Sequence, residues 1–385
     1  MVIVCLLGAC QERKRDELVL WHAYRGAEAS ALAEAVARFE AAPGGGAVRL
    51  VSVPYDAFAN KLSVSIPRGN GPDVFIYAHD RVGDWAETGL LEPLGLWADE
   101  PLIDRFFGQT VESLVYEDVL YGLPLAFKTL ALFYDTTMVE KPPRTTAALV
   151  AQSKAIRAAD PRCWGLAYPL DSLYFHAPWL HGFGGRVYSR GDALALAEPA
   201  AVRSVEFIRR LVHDEKIMPE EVTSALVTAL FREHKLAFVV NGPWFRGELD
   251  GHQGWAVAPL PVVTETGQPA RPFLGVEGVL LSARSTRKTE GFALMRFLTS
   301  DGEATARLAA GGQLVANTGA YDAGVGDGFT AAFRQQVENA VPLSNRPHMR
   351  RVWTPAQDAL SGAIMHGVDP VKAMTEAVRV IARGD

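Results

Sequence analysis

A chain of 385 residues is longer than one hydrophobic core commonly serves, so two lobes are expected. Its composition, 49% hydrophobic and 21% charged, is that of a globular protein, and a net charge of −6 speaks against a nucleic-acid binder, which would carry basic patches. No internal run reaches the roughly 18 apolar residues that a membrane span requires.

The chain opens on the apolar stretch MVIVCLLGAC, followed by the charged QERKRDE. Leu7, Gly8 and Ala9 ahead of Cys10 resemble the end of a lipoprotein signal. That resemblance implies a signal remnant over 1–10, acylation of Cys10 as the first mature residue, and a solvated tether over 11–17. Cys5 would be removed, leaving Cys163 alone, so no disulfide is expected in the mature fold.

LVLWHAY (18–24) is an apolar run without alternation, as a strand covered on both faces would be. Ala29, Leu32, Val36 and Phe39 then recur at helical spacing, PGGG (43–46) breaks the helix, and AVRLVSVP restarts a strand. Strand–helix–strand is the signature of an α/β lobe with parallel strands. PDVFIYAHDRVGDWAETGLLEPL (72–94) continues it: a buried strand over Val74–Tyr77, then a polar cluster, then a helix ended by Gly89. GLPLAFKTLALFYD (122–135) is longer than a usual strand and suits a crossover between lobes, as does FLGVEGVLLSAR (273–284). Between them lie a helix marked by Val205, Ile208 and Val212 and the strand LAFVVNG (236–242). The glycine-rich AGVGDGF (323–329) lacks the strand-to-helix setting of a phosphate turn and reads as a plain loop. The last helix has Asp369 as its N-cap, Pro370 in its first turn, Val371, Met374, Val378 and Ile381 as its buried stripe, and Gly384 as its stop.

Catalytic and metal motifs are missing: the sequence holds no H-E-x-x-H, P-loop, G-x-S-x-G or paired C-x-x-C. No catalytic residue, cofactor or metal ligand is therefore expected. His22 and His79 follow apolar strands, and an ordinary hydrogen-bonded role is expected for both. The aromatics carry more information. NGPWF (241–245) puts Trp244 after a strand, SLYFHAPW (172–179) puts Tyr174 and Phe175 at a strand-to-helix junction, and RRVWTPAQDAL (350–360) starts a helix on Trp353. Strand ends and helix starts are where open α/β sheets bind ligands. A pyranose presents apolar C–H faces to flat rings and hydroxyl edges to Asp, Arg and Asn, the combination that Tyr77, Asp80 and Arg81 supply.

YAHDRVGDWAETGLLEPL, GLPLAF…LALFY, LYFHAPWLHGFGG, FVVNGPWF, RPFLGVEG and MRRVW occur in the order and approximate spacing of the maltose-binding proteins, which the chain resembles from about residue 18 onward. AHDR and NGPW are the specific blocks. The resemblance implies a two-lobe α/β fold, each lobe a sheet flanked by helices, joined by a hinge of crossing strands: 18–126 plus 277–318 for the first lobe, 127–276 plus 319–385 for the second. It implies a monomeric, periplasmic or cell-surface receptor, held to the membrane only through its N-terminal lipid. Such a receptor captures an oligosaccharide, maltose, a maltodextrin or a related α-glucoside, between its lobes and delivers it to the transmembrane subunits of an ABC importer. Carried over residue by residue, Tyr77 takes the place of a stacking tryptophan, and Asp80 and Arg81 of the pair that holds sugar hydroxyls. Tyr174 and Phe175 match second-lobe aromatics, and Trp244 and Trp353 the main stacking tryptophans.

Three departures stand out. Lys128 occupies the place of a sugar-binding glutamate, Ser172 that of another with Asp171 adjacent, and HAYRGAE replaces the asparagine-to-lysine stretch after the first strand. Glu28 and Glu277 are either replacement acceptors or solvated surface acids. Two alternatives stay open: an anionic ligand such as a sugar phosphate or uronate, met by Lys128, or a glycoside hydrolase with unrecognised carboxylates.

Overall fold

The computed structural model describes residues 17–189, 192–311, 313–323 and 327–384. The expected acylation site Cys10, the remnant 1–10 and the tether up to residue 16 lie outside the described residues, as do positions 324–326 of the glycine-rich loop.

Two mixed sheets organise the chain. The first runs Val341–Pro342, Phe273–Leu281, Val74–Ala78, Leu18–His22, Val48–Ser52, with Gly122–Lys128 also paired to Phe273–Leu281. Leu18–His22 is buried at every position and pairs in parallel with both of its neighbours, as the uninterrupted apolar run predicts. The second sheet runs Trp255–Ala258, Ala131–Asp135, Leu236–Asn241, Trp164–Ala167. Helices cover both sheets, giving the two-lobe α/β architecture expected from the sequence.

The stretch 122–135 is two strands rather than one long one. Gly122–Lys128 belongs to the first sheet and Ala131–Asp135 to the second, with the crossing at Thr129 and Leu130. Both strands are apolar, so hydropathy alone gives no sign of the break. Thr129 is buried and its hydroxyl donates to the Phe273 carbonyl at 2.8 Å, which fixes this crossing beside the start of Phe273–Leu281. Phe127 adds a further tie, donating its N–H to the Leu314 carbonyl at 2.8 Å. A continuous apolar cluster accordingly passes between the lobes, joining Phe75 and Phe127 to Phe133, Phe245 and Phe333.

The terminal helix Pro370–Arg383 has the predicted ends. Asp369 accepts from the Lys372 N–H at 3.0 Å, and Gly384 adopts φ 75°, a left-handed cap suited to glycine. Its buried stripe differs: Ala373, Met374, Ala377 and Ile381 are buried, while Val371 is 53% exposed. Alanines take the inner face because the helix Trp353–Ile364 packs closely against it. Cys163 is a buried free thiol.

Candidate ligand-binding cleft

A cleft of about 870 Å³ opens between the two sheets, lined by Glu28, Lys128 and Glu277 on one side and Trp244, Arg246 and Phe329 on the other. Register explains why the first three meet. Glu277 lies mid-strand opposite Ala78 and Ala126, Lys128 ends the adjacent strand opposite Gly275, and Glu28 sits in the first turn of Gly26–Ala41. Lys128 Nζ donates to Glu277 Oε1 at 2.9 Å, and the Tyr24 hydroxyl donates to Glu277 Oε2 at 2.7 Å. Gln313 Nε2 in turn donates to the Tyr24 oxygen at 3.2 Å. Burial works against the Lys128 charge, but Glu277, Glu28 and Tyr55 outweigh it, and its pKa moves up. Glu28 is raised by burial and then by the Glu277 charge, with Lys128 pulling it back.

Val74–Ala78 delivers Tyr77 and, in the short helical turn His79–Arg81, the polar cluster. Tyr77 is only 6% exposed. Tyr55 stacks on its ring at 5.1 Å and 11°, Phe58 at 4.8 Å and 30°, and Trp85 leans against it at 5.2 Å. A ring so covered has no open face for a pyranose. Asp80 Oδ1 is buried and accepts no hydrogen bond among the described residues, and burial raises the carboxyl pKa. Arg81 turns to Asp84 at 3.5 Å, which also receives Arg350 Nη2 at 2.7 Å.

In the second lobe the expected aromatics form one chain of rings. Trp244 lies 6.3 Å from Tyr174, Tyr174 lies 5.9 Å from Phe175 and 6.2 Å from Phe273, and Phe273 lies 6.2 Å from Trp353. Tyr174 and Phe175 occupy the first turn of Leu173–Gly182, and Trp353 the first of Trp353–Ile364. Asp171 Oδ2 accepts from Gln357 Nε2 at 3.1 Å, which joins the two helix starts. Trp244 is 41% exposed and folds back over Gly242: a Cβ there would stand 2.2 Å from the indole carbons. The glycine of NGPW thus has a steric reason.

His79 and His22 serve the fold. His79 Nδ1 accepts the Val276 N–H at 3.0 Å while Nε2 donates to the Leu343 carbonyl at 2.7 Å, and His22 Nδ1 accepts the Tyr24 N–H at 3.2 Å. Sequence reasoning missed Tyr55, Tyr24 and Gln313. Only Tyr55 left a signal, an aromatic in the first helical turn after Val-Pro. Among the described residues no group of three or more His, Cys, Asp and Glu is placed to hold a metal ion, and no helix is long and apolar enough to cross a membrane.

Comparison with known proteins places these features in context. The family model for bacterial extracellular solute-binding protein matches residues 34–335. A maltotriose-binding protein of Pyrococcus abyssi is 30% identical, covering 83% of this chain and 71% of its own. A galactooligosaccharide-binding protein of Bacillus subtilis is 27% identical, covering 96% and 90%. The crystal structure of a cyclo/maltodextrin-binding protein complexed with maltotetraose superposes with a TM-score of 0.89 at 26% identity, over 97% of this chain and 98% of the other.

Proposed function

The chain belongs to the bacterial extracellular solute-binding protein family, and we propose that it is the substrate receptor of an ABC importer, closing on a neutral oligosaccharide and presenting it to the transmembrane subunits. The observation that carries this reading is the cleft itself, in which the half-exposed indole of Trp244 shares one cavity with the Lys128–Glu277 pair. A flat ring suits the apolar face of a sugar, and a paired lysine leaves little free positive charge for an anion. Closure follows from contact: a ligand touching both lobes binds the closed form more tightly and raises its population.

The proposed ligand contacts are Asp80, Arg81, Lys128, Tyr174, Phe175, Trp244 and Trp353, with Glu28, Asp171 and Glu277 completing the polar edge. Tyr77 contributes beneath this surface. For the lobe division 18–126 plus 277–318 and 127–276 plus 319–385, the crossing at Thr129 and Leu130 lies three residues past the first boundary, while the strands Phe273–Leu281 and Val341–Pro342 both pair within the first sheet, so the boundary at 276/277 falls inside a strand. Relatives named for maltotriose and for galactooligosaccharides support a neutral oligosaccharide, and the maltotetraose held by the structural neighbour makes an α-glucan the first candidate. The LGAC stretch supports acylation at Cys10 and a periplasmic or cell-surface protein tethered to the membrane through that lipid.

A thermal-shift panel tests the reading, because a ligand that binds only the folded state raises the apparent melting temperature. Maltotriose and maltotetraose should raise it, and chromatography should recover them uncleaved. A shift with glucose 1-phosphate or glucuronate and none with neutral sugars would replace the neutral ligand by an anionic one. Cleavage products would replace the receptor by a hydrolase. Fractionation of cells expressing the full chain tests the anchor: the protein should follow the membranes and Cys10→Ser should release it or block its processing.

A further inference from the structure

The first lobe needs a flat surface for a sugar, and the residue expected to provide it is covered. Tyr77 is 6% exposed beneath Tyr55, Phe58 and Trp85, whereas Tyr55 is 52% exposed. Tyr55 opens the helix Tyr55–Ser65 directly after Pro54. Phe58 and Leu62, three and seven residues on, are fully buried on the same helical face. Tyr55 is therefore the outermost member of an apolar stripe, and its ring is held nearly parallel to Tyr77, at 11°. An exposed tyrosine that is already stacked from below loses little freedom on binding.

Resting on the receptor reading above, we propose that Tyr55 is the first-lobe stacking platform for a pyranose ring. Tyr77 is then a positioning residue, the support on which Tyr55 lies. Burial and then the Asp80 charge raise the Tyr55 pKa, with the Lys128 charge acting against them. The ligand class that this arrangement recognises is a neutral hexopyranose unit within an oligosaccharide, bound by one apolar face and one hydroxyl edge.

Titration calorimetry with maltotriose on the full chain, Tyr55→Ala and Tyr55→Phe tests the assignment, with melting temperatures of the free proteins as the folding control. Tyr55→Ala should bind about tenfold or more weakly, while Tyr55→Phe, which keeps the flat face, stays within about threefold. Both should melt close to the unmodified chain, because the side chain is half exposed. Unchanged affinity in Tyr55→Ala overturns the platform and leaves the receptor intact. Equal losses in both variants assign the effect to the hydroxyl and overturn stacking. An unmodified chain that binds no neutral oligosaccharide overturns the receptor reading and this one together.

Discussion

Lys128 Nζ lies 2.9 Å from Glu277 Oε1, so the lysine on the cleft wall is met by an acid from the neighbouring strand. Glu277 spends its second oxygen on Tyr24, and Glu28 lies close enough to add its field. A lysine offers three donors and no acceptor, so it cannot take over a glutamate's bonds to sugar hydroxyls. The pair is neutral and Glu28 adds a second acid beside it, so no unmatched positive charge stands on that wall, while Lys128 still lines the cleft.

Binding of maltotriose should accordingly change less than about fivefold between about 0.05 and 0.5 M salt. Lys128→Met should weaken it, by about three- to tenfold, because Glu277 then keeps an uncompensated charge on a partly buried wall. Calorimetry at both salt concentrations measures this. Affinity that falls steeply with salt for an acidic ligand alone would show that Lys128 meets the ligand's charge instead of Glu277.

Much of this arrangement was legible in the sequence, and the rest was hidden for physical reasons. Strands covered on both faces read as apolar runs, which is why Leu18–His22 and Val74–Ala78 stood out. The polar cluster after the latter and the aromatics at helix starts followed from where such strands end. The break at Thr129 and Leu130 was invisible because two buried strands in different sheets share one hydropathy. Val371 was misplaced because spacing fixes a period, whereas the face turned inward depends on the neighbouring helix. The covering of Tyr77 by Tyr55 is a tertiary contact, as is the approach of Tyr24 to Glu277 across 253 residues, and local pattern carries neither.

Trp244 should be the most responsive aromatic. Removing its indole, or that of Trp353, takes away stacking and apolar burial worth roughly 1.5–3 kcal/mol, about ten- to hundredfold in dissociation constant. Gly242→Ala offers a sharper test. The new methyl group would meet the Trp244 ring at 2.2 Å and push it aside without removing it. Binding should weaken towards the Trp244→Ala level, with a red-shifted tryptophan emission. Unchanged affinity in Gly242→Ala would mean that the ring's resting position is irrelevant to the ligand.

Stability should fall on acidification from about pH 6.5. His176 and His181 are buried, and desolvation lowers their pKa values to about 3 and about 4 in the folded protein. Unfolded, both titrate near the ordinary value of about 6.5. Between these limits the unfolded chain binds more protons, so unfolding becomes easier as pH drops, by up to about 1.4 kcal/mol per pH unit for each group. Among the described residues no carboxylate acts on either to reverse this: His176 Nε2 meets Ser204 Oγ at 2.9 Å, and His181 Nδ1 donates to the Arg271 carbonyl with Arg271 and Arg186 nearby. Melting temperatures from about pH 7 to about pH 4.5 should decline, and His176→Gln should flatten the decline. A melting temperature that holds steady across that window would contradict the assignment.

Asp84 and Arg350 join the lobes from outside the aromatic site. Asp84 lies in the helix Val82–Glu87 of the first lobe, and Arg350 in the turn Pro347–Arg351 that leads into the second-lobe helix Trp353–Ile364. They are 266 residues apart in sequence and 2.7 Å apart in space. Arg346 reaches across in the same way to Glu117 at 3.6 Å, while its nearer partner Asp192, at 3.0 Å, belongs to its own lobe. Such bonds exist only while the two elements lie side by side, so breaking one lowers the fraction of molecules in the binding-competent arrangement, and apparent affinity falls in proportion. Arg350 is half exposed, which limits the pair to at most about 1 kcal/mol, or about fivefold. Asp84→Asn should therefore raise the rate of maltotriose release about two- to fivefold, read by stopped-flow tryptophan fluorescence. Arg350→Gln should do the same. Since one bond is being broken twice, the double variant should release the sugar no faster than the worse single variant. Rates that multiply in the double variant would mean that the two residues act separately, and that their contact does not hold the lobes together.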